Sequence, residues 1–220
     1  MSDDYITHRG RPFRRYLGLL GVLIVLLATI NAVLTKSTGS VGIEPGHRLA
    51  PFAVPLARGD VNGAADVATR ANEGAAGKVP ACAERGRGIL NICELYEQGP
   101  VVLALFIDAE SCPQILSDMQ ALAPSFPNVR FAGVAIKGGR GELLKLIAAK
   151  NLSIPIGFDI EGALAGAYKL VSCPQVDFAY PGGVVQSEAL LGRPALATLR
   201  ARVSELVRAS RARGWRPPPT

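Results

Sequence analysis

The sequence predicts an α/β sandwich around a central mixed β-sheet, preceded by one transmembrane helix. Three observations predict it. Two continuous apolar runs, VVLALFI (101–107) and VRFAGVAI (129–136), have the length and unbroken hydrophobicity of strands buried on both faces of a sheet. Segments of helical period follow each of them, which makes the first crossovers parallel, while Pro181-Gly182 between VDFAY (176–180) and GVVQSEALL (183–191) signals an antiparallel closing hairpin. Ahead of these elements, Leu17–Leu34 is an eighteen-residue run without charge in which only Thr29 and Asn31 are polar. At about 1.5 Å per residue it is about 27 Å long as a helix, close to the hydrocarbon thickness of a bilayer.

Composition narrows the function classes. The 220 residues are 49% hydrophobic and 19% charged, too apolar for a disordered chain. Two His make a multi-histidine metal centre unsuited to this chain, and four Cys are too few for a disulfide mini-scaffold. The net charge of +6 is unevenly placed: residues 1–36 carry +3, residues 193–220 carry +6, and the body between them carries −3. A mildly acidic body with basic ends removes the case for nucleic acid as a partner.

Arg9, Arg11, Arg14 and Arg15 precede the apolar run and only Lys36 follows closely. The positive-inside bias therefore puts residues 1–16 in the cytoplasm as a tail, makes 17–35 the membrane anchor, and leaves the rest of the chain extracytoplasmic. A cleaved signal peptide is the rival, against which stand the length of the run and the lack of an A-x-A site. Residues 36–45 (KSTGSVGIEP) read as a flexible stalk. GHRLAPFAVPLARG (46–59) holds a short apolar strand edged by prolines, and 59–80 a loop or weak helix. ACAERGRGILNICELYEQG carries Cys82 and Cys93. Cys112-Pro113 opens a helix in which Ile115, Leu116, Met119 and Leu122 keep a helical period, with proline in its favoured first turn. Lys137–Gly141 is a turn into the helix ELLKLIAAK; IPIGFD (154–159) enters a strand and GALAGAYKL is a short helix. The last helix, 195–211, stripes Leu196, Leu199, Val203, Leu206 and Val207, and 212–220 is a basic, proline-rich tail.

The order and spacing of several features resemble the thioredoxin-like redoxin superfamily, which includes membrane-tethered thiol-disulfide reductases and the alkyl-hydroperoxide-reductase/thiol-specific-antioxidant proteins. These features are Gly46…Pro51-Phe52…Gly59, the strand VVLALF, a Cys-Pro at a helix start, Asp159-x-x-Gly162, Cys173-Pro174 ahead of VDFAY, and Gly182-Gly183. The resemblance spans residues 46–211 and implies a thioredoxin-like three-layer sandwich. It also implies that Pro174 is cis and faces Cys112, which brings Cys173 beside Cys112.

Cys112 is the first candidate for chemistry, because a helix start favours a thiolate. Position 115 is Ile, where a dithiol reductase of Cys-x-x-Cys type has its second thiol. Leu105 and Ala109 stand where a typical peroxiredoxin motif has Pro and Thr or Ser. The expectation is thiol-disulfide exchange with protein thiols or disulfides, with Cys112 as nucleophile and Cys173 as resolving thiol. A permanent bridge between the two, a thiol peroxidase, and a non-catalytic partner-binding module are the alternatives. Cys82 and Cys93, eleven positions apart, read as a structural disulfide, with a second redox pair or free thiols as the other options. No metal or organic cofactor is implied. Asp108 and Glu110 could move protons near Cys112 or be solvated loop carboxylates.

Overall fold

Each element of the domain has a local cause in the sequence, and together they place two cysteines at one end of a sheet. The computed structural model describes residue 16 and residues 18–27, 41–73, 77–109 and 111–218. The chain forms two compact units, residues 1–40 and 41–220. In the first, residues 18–27 are helical and their apolar side chains are exposed, Leu19 at 66%. The expected cytoplasmic tail, apart from Tyr16, and positions 17 and 28–35 of the expected anchor lie outside the described residues. Among the described residues no helix is long and apolar enough to cross a membrane.

In the second unit β1 (Ala53–Pro55) pairs antiparallel with β2 (Ile89–Asn91), which leads directly into α1 (Ile92–Gln98). There follow β3 (Val101–Phe106), α2 (Gln114–Leu122), β4 (Arg130–Ile136) and α3 (Arg140–Ala149). The chain closes with β5 (Ile156–Asp159), α4 (Ala163–Ala167), β6 (Gln175–Ala179), β7 (Val185–Leu191) and α5 (Leu196–Ala212). The main sheet has the order β5-β4-β3-β6-β7; β3, β4 and β5 run parallel, and β6 and β7 complete it antiparallel. Every residue of β3 is buried, as its unbroken apolar run requires of a central strand.

Helices cover both faces. α2, α3 and α5 pack one face through Ile115, Leu116, Met119, Leu143, Ile147, Leu199 and Val203. α1, α4 and the β1–β2 pair pack the other through Ile92, Tyr96, Leu164, Val54 and Leu90. Close contact between α2 and the sheet depends on Gly133 of β4, where an added Cβ would lie 2.7 Å from Leu116 Cδ2. The three-layer α/β sandwich with a mixed sheet is thus the observed architecture.

Three details differ from the sequence reading, and a fourth decides between its alternatives. β2 and α1 fill the segment around Cys93, which had no assigned element. The Asn91 side-chain Oδ1 accepts from the backbone amides of Cys93 (2.8 Å) and Glu94 (3.3 Å), and Asn91-x-x-Glu94 was the available helix-start signal. Of the two alternatives for 59–80 the chain takes the loop: among the described residues the segment has no helix, and it bridges Asp66 to Ala53. Residues 41–45, expected in the stalk, belong to the body: Gly42 is buried and its amide donates to the Lys169 carbonyl at 3.4 Å. The basic tail is tied down at its start, since the Arg213 guanidinium lies 4.0 Å over the Tyr180 ring and the Trp215 amide donates to the Ser210 carbonyl.

Candidate functional site

β3 ends at Phe106 and the chain crosses residues 107–113 before α2. The Cys112 amide donates to the Ala109 carbonyl (3.2 Å) and the Gln114 amide to the Ser111 carbonyl (3.1 Å), so tight turns deliver Cys112 to the helix entry. Pro113 is the cap residue and offers no side-chain hydrogen bond, so the nine-residue helix begins directly behind Cys112-Pro113. Across the sheet, Leu105 pairs with Gln175, so the two chain segments just beyond that pair, at Ile107 and Cys173, meet. The Ile107 amide donates to Cys173 Sγ at 3.1 Å. The Cys173–Pro174 peptide is cis.

Cys112 and Cys173 are 61 positions apart in sequence, yet their Cα atoms lie 5.6 Å apart and a disulfide joins them. Cys112 is 6% exposed and packs into the core beside α2, whereas Cys173 is partly exposed. Around the bridge, Ile107 and Val171 present apolar side chains to solvent, Val171 at 65%. Asp108 is exposed in the same loop, and Glu110 lies outside the described residues. Among the described residues there is no cluster of ligands suited to a metal ion.

Cys82 and Cys93 form a second disulfide, with a Cα–Cα distance of 5.4 Å. Both pack with the opposite core, on the α1 and α4 face. The segment they close is organised from within. The Asn91 amide nitrogen donates to the carbonyls of Ala81 and Glu84, each at 2.8 Å, and Arg85 grips Glu97 with two hydrogen bonds of 2.7 and 2.6 Å.

Sequence reasoning missed a polar cluster on β6. Asp177 and Gln175 are buried on the face opposite Cys112, with Tyr168. Burial pushes the Asp177 carboxyl up to about 7, against the opposing pull of a 3.1 Å hydrogen bond from the Gln175 amide nitrogen. Among the described residues, Asp177 Oδ1 and Gln175 Oε1 have no hydrogen-bond partner. Burial, with the nearby Asp177 charge, also drives the Tyr168 phenol well above its ordinary range. The available signal was an acidic residue inside the apolar strand VDFAY.

A cysteine at a helix entry is thus bridged to the residue before a cis proline, on a mixed five-stranded sheet covered by helices on both faces. No family profile and no curated protein matches the chain. Solved structures do. A Chlorobium tepidum protein assigned as the thiol:disulfide interchange protein DsbE superposes with a TM-score of 0.56 at 14% identity, covering 76% of this chain and 98% of its own. The thioredoxin domain of a thiol-disulfide oxidoreductase from Bacteroides vulgatus gives 0.55 at 11% identity, covering 75% and 99%. The peroxidoxin BcpB of Mycobacterium tuberculosis gives 0.53 at 14%, covering 77% and 97%. The chain has the thioredoxin-like fold shared by these redoxins.

Proposed function

We propose that this protein is a membrane-anchored, extracytoplasmic redoxin whose Cys112–Cys173 pair exchanges disulfides with protein thiols. The observation that carries the reading is the bridge itself. It joins two thiols remote in sequence at the mouth of the sheet, with one of them partly exposed and apolar side chains around it. In exchange, a substrate thiolate attacks one sulfur of the bridge, the other leaves as a thiolate, and a second substrate thiol resolves the mixed disulfide. Two electrons pass to the protein in that direction and away from it in the reverse. The reaction needs no metal or organic cofactor. Of the two thiols, the position of Cys112 just before α2 supports Cys112 as nucleophile and Cys173 as resolver; the burial of Cys112 weighs against that order.

Anchoring is supported by the uncharged run Leu17–Leu34 behind four arginines, and the extracytoplasmic side by two disulfides in the body, where an oxidising compartment would maintain them. Two measurements test the reading. The full chain in detergent is equilibrated with glutathione buffers and the redox state of Cys112–Cys173 is read by mass; a cycling pair gives a sigmoidal titration. A pair that stays oxidised through millimolar dithiothreitol is a permanent bridge, and the protein is then a binding module. A reporter fused after Thr220 should be active only outside the cytoplasm; a cytoplasmic signal overturns the topology.

A further inference from the structure

We infer that the mixed disulfide with substrate forms on Cys173, with Cys112 as the resolving thiol, an assignment that rests on the exchange reading above. Access is the first ground. Both cysteines pack with the same core, but Cys112 is only 6% exposed within it, while Cys173 at its margin is partly exposed. Exchange requires an approach to the attacked sulfur, so access decides between two sulfurs of one bridge.

The Ile107 amide is the second ground. Its N–H lies 3.1 Å from Cys173 Sγ, and a thiolate accepts a hydrogen bond far more strongly than a thiol does. The bond therefore stabilises negative charge on Cys173 Sγ as that sulfur attacks or is released. The third ground is the surface. Ile107, whose amide meets Cys173, and Val171, two residues before it in the chain, are exposed and offer apolar contact to a polypeptide carrying the substrate sulfurs.

In the reducing direction the Cys173 thiolate attacks one sulfur of a substrate disulfide. The substrate S–S bond breaks, the Cys173–substrate bond forms, and the other substrate sulfur leaves as a thiolate. Cys112 then loses its proton to water and attacks Cys173 Sγ, expelling the second substrate thiolate. Two electrons have moved from the pair to the substrate. The oxidising direction runs through the same mixed disulfide, so the assignment does not depend on which way electrons flow.

The test uses the full chain in detergent with Cys82 and Cys93 untouched, glutathione disulfide as the probe, and intact mass as the readout. Cys112→Ser and Cys173→Ser each remove the same bridge, so their rates are compared on equal terms. Cys112→Ser, which retains the more exposed Cys173, should form its glutathione adduct at least about tenfold faster at pH 7 than Cys173→Ser, which retains the buried Cys112. Adding Ile107→Pro, which deletes the donor N–H, should slow the first protein and leave the second unchanged. In the unsubstituted protein, with Cys112–Cys173 first reduced by dithiothreitol and the reductant removed, the glutathione adduct trapped by acid quench should map to the peptide containing Cys173, a measurement that requires no variant to fold. Equal rates, a faster Cys173→Ser protein or an adduct mapped to Cys112 overturns the assignment while leaving exchange intact. No adduct on either thiol overturns the exchange reading, and the assignment with it.

Discussion

Arg193 grips Asp118 through two hydrogen bonds, Nε to Oδ2 at 2.7 Å and Nη2 to Oδ1 at 3.0 Å, across 75 positions of sequence. Asp118 lies in α2, the helix that begins beside Cys112, and Arg193 lies in the turn between β7 and α5. The pair thus fastens the cysteine helix to the far edge of the sheet. The guanidinium is half exposed, so solvent screens the attraction, and the two-pronged geometry contributes more than the charge. Arg193→Ala should lower the melting temperature by about 1–3 °C, with a smaller loss in about 0.5 M salt. Arg193→Lys should recover only part of it, because an ammonium cannot span both carboxylate oxygens. Calorimetry at two salt concentrations reads both outcomes, and an unchanged melting temperature would mean that α2 is held by its core contacts alone.

The Cys82–Cys93 bridge invites a different measurement. It closes a segment of eleven positions that is already held by Asn91 and by the Arg85–Glu97 pair, and it sits on the opposite core from Cys112. Replacing both cysteines by Ala should cost about 2–3 kcal/mol in urea unfolding. Exchange at Cys112–Cys173 should persist. Lost exchange at undiminished stability would make Cys82–Cys93 a redox element.

Much of the fold was legible because the central strands are apolar without interruption. VVLALF and VRFAGVAI can hardly be anything but buried strands, and the stripe from Leu199 to Leu206 fixes α5. α1 escaped notice because it has only seven residues and its start signal, Asn91-x-x-Glu94, lies among glycines and charges that read as loop. The meeting of Cys112 and Cys173 is different in kind. Nothing within either segment encodes it; it follows from β3 and β6 being neighbours, a long-range relationship that only the resemblance to redoxins implied. The Ile107 amide was out of reach, since backbone donors have no sequence signature, while the β6 polar cluster left one visible signal, the acid inside VDFAY, whose burial depends on what covers the strand.

The turn between β6 and β7 gives a paired prediction. Gly182 and Gly183 both have positive φ, +85° and +82°. An added Cβ at Gly182 meets nothing within 4 Å, whereas at Gly183 it would lie 2.6 Å from Tyr96 Cδ1, on a ring that is itself buried. Gly182→Ala should therefore cost only the backbone penalty, about 1–2 kcal/mol. Gly183→Ala adds displacement of the ring and should cost about 2–4 kcal/mol. Urea unfolding of the two proteins side by side checks the order; equal losses would show that Tyr96 moves aside freely.

The buried Asp177 ties stability to pH with a definite sign. Its carboxyl titrates at about 7 in the folded protein because burial disfavours the charge, while in the unfolded chain it titrates near the ordinary value of about 3.9. As pH rises from about 4 to 7 the unfolded chain releases this proton and the folded protein keeps it. The folded state is then the one binding more protons, so stability falls with rising pH across that window and levels off above it. At 1.36 kcal/mol per unit the whole loss is about 4 kcal/mol. Tyr168 does not interfere, since its phenol titrates well above this range. Asp177→Asn keeps an acceptor for the Gln175 amide nitrogen but carries no charge. It should match the unsubstituted protein near pH 4, exceed it in stability at pH 8, and flatten the slope between. Urea unfolding at four pH values from 4 to 8.5 measures this, and parallel slopes for the two proteins would mean that Asp177 is ionised in the folded state throughout.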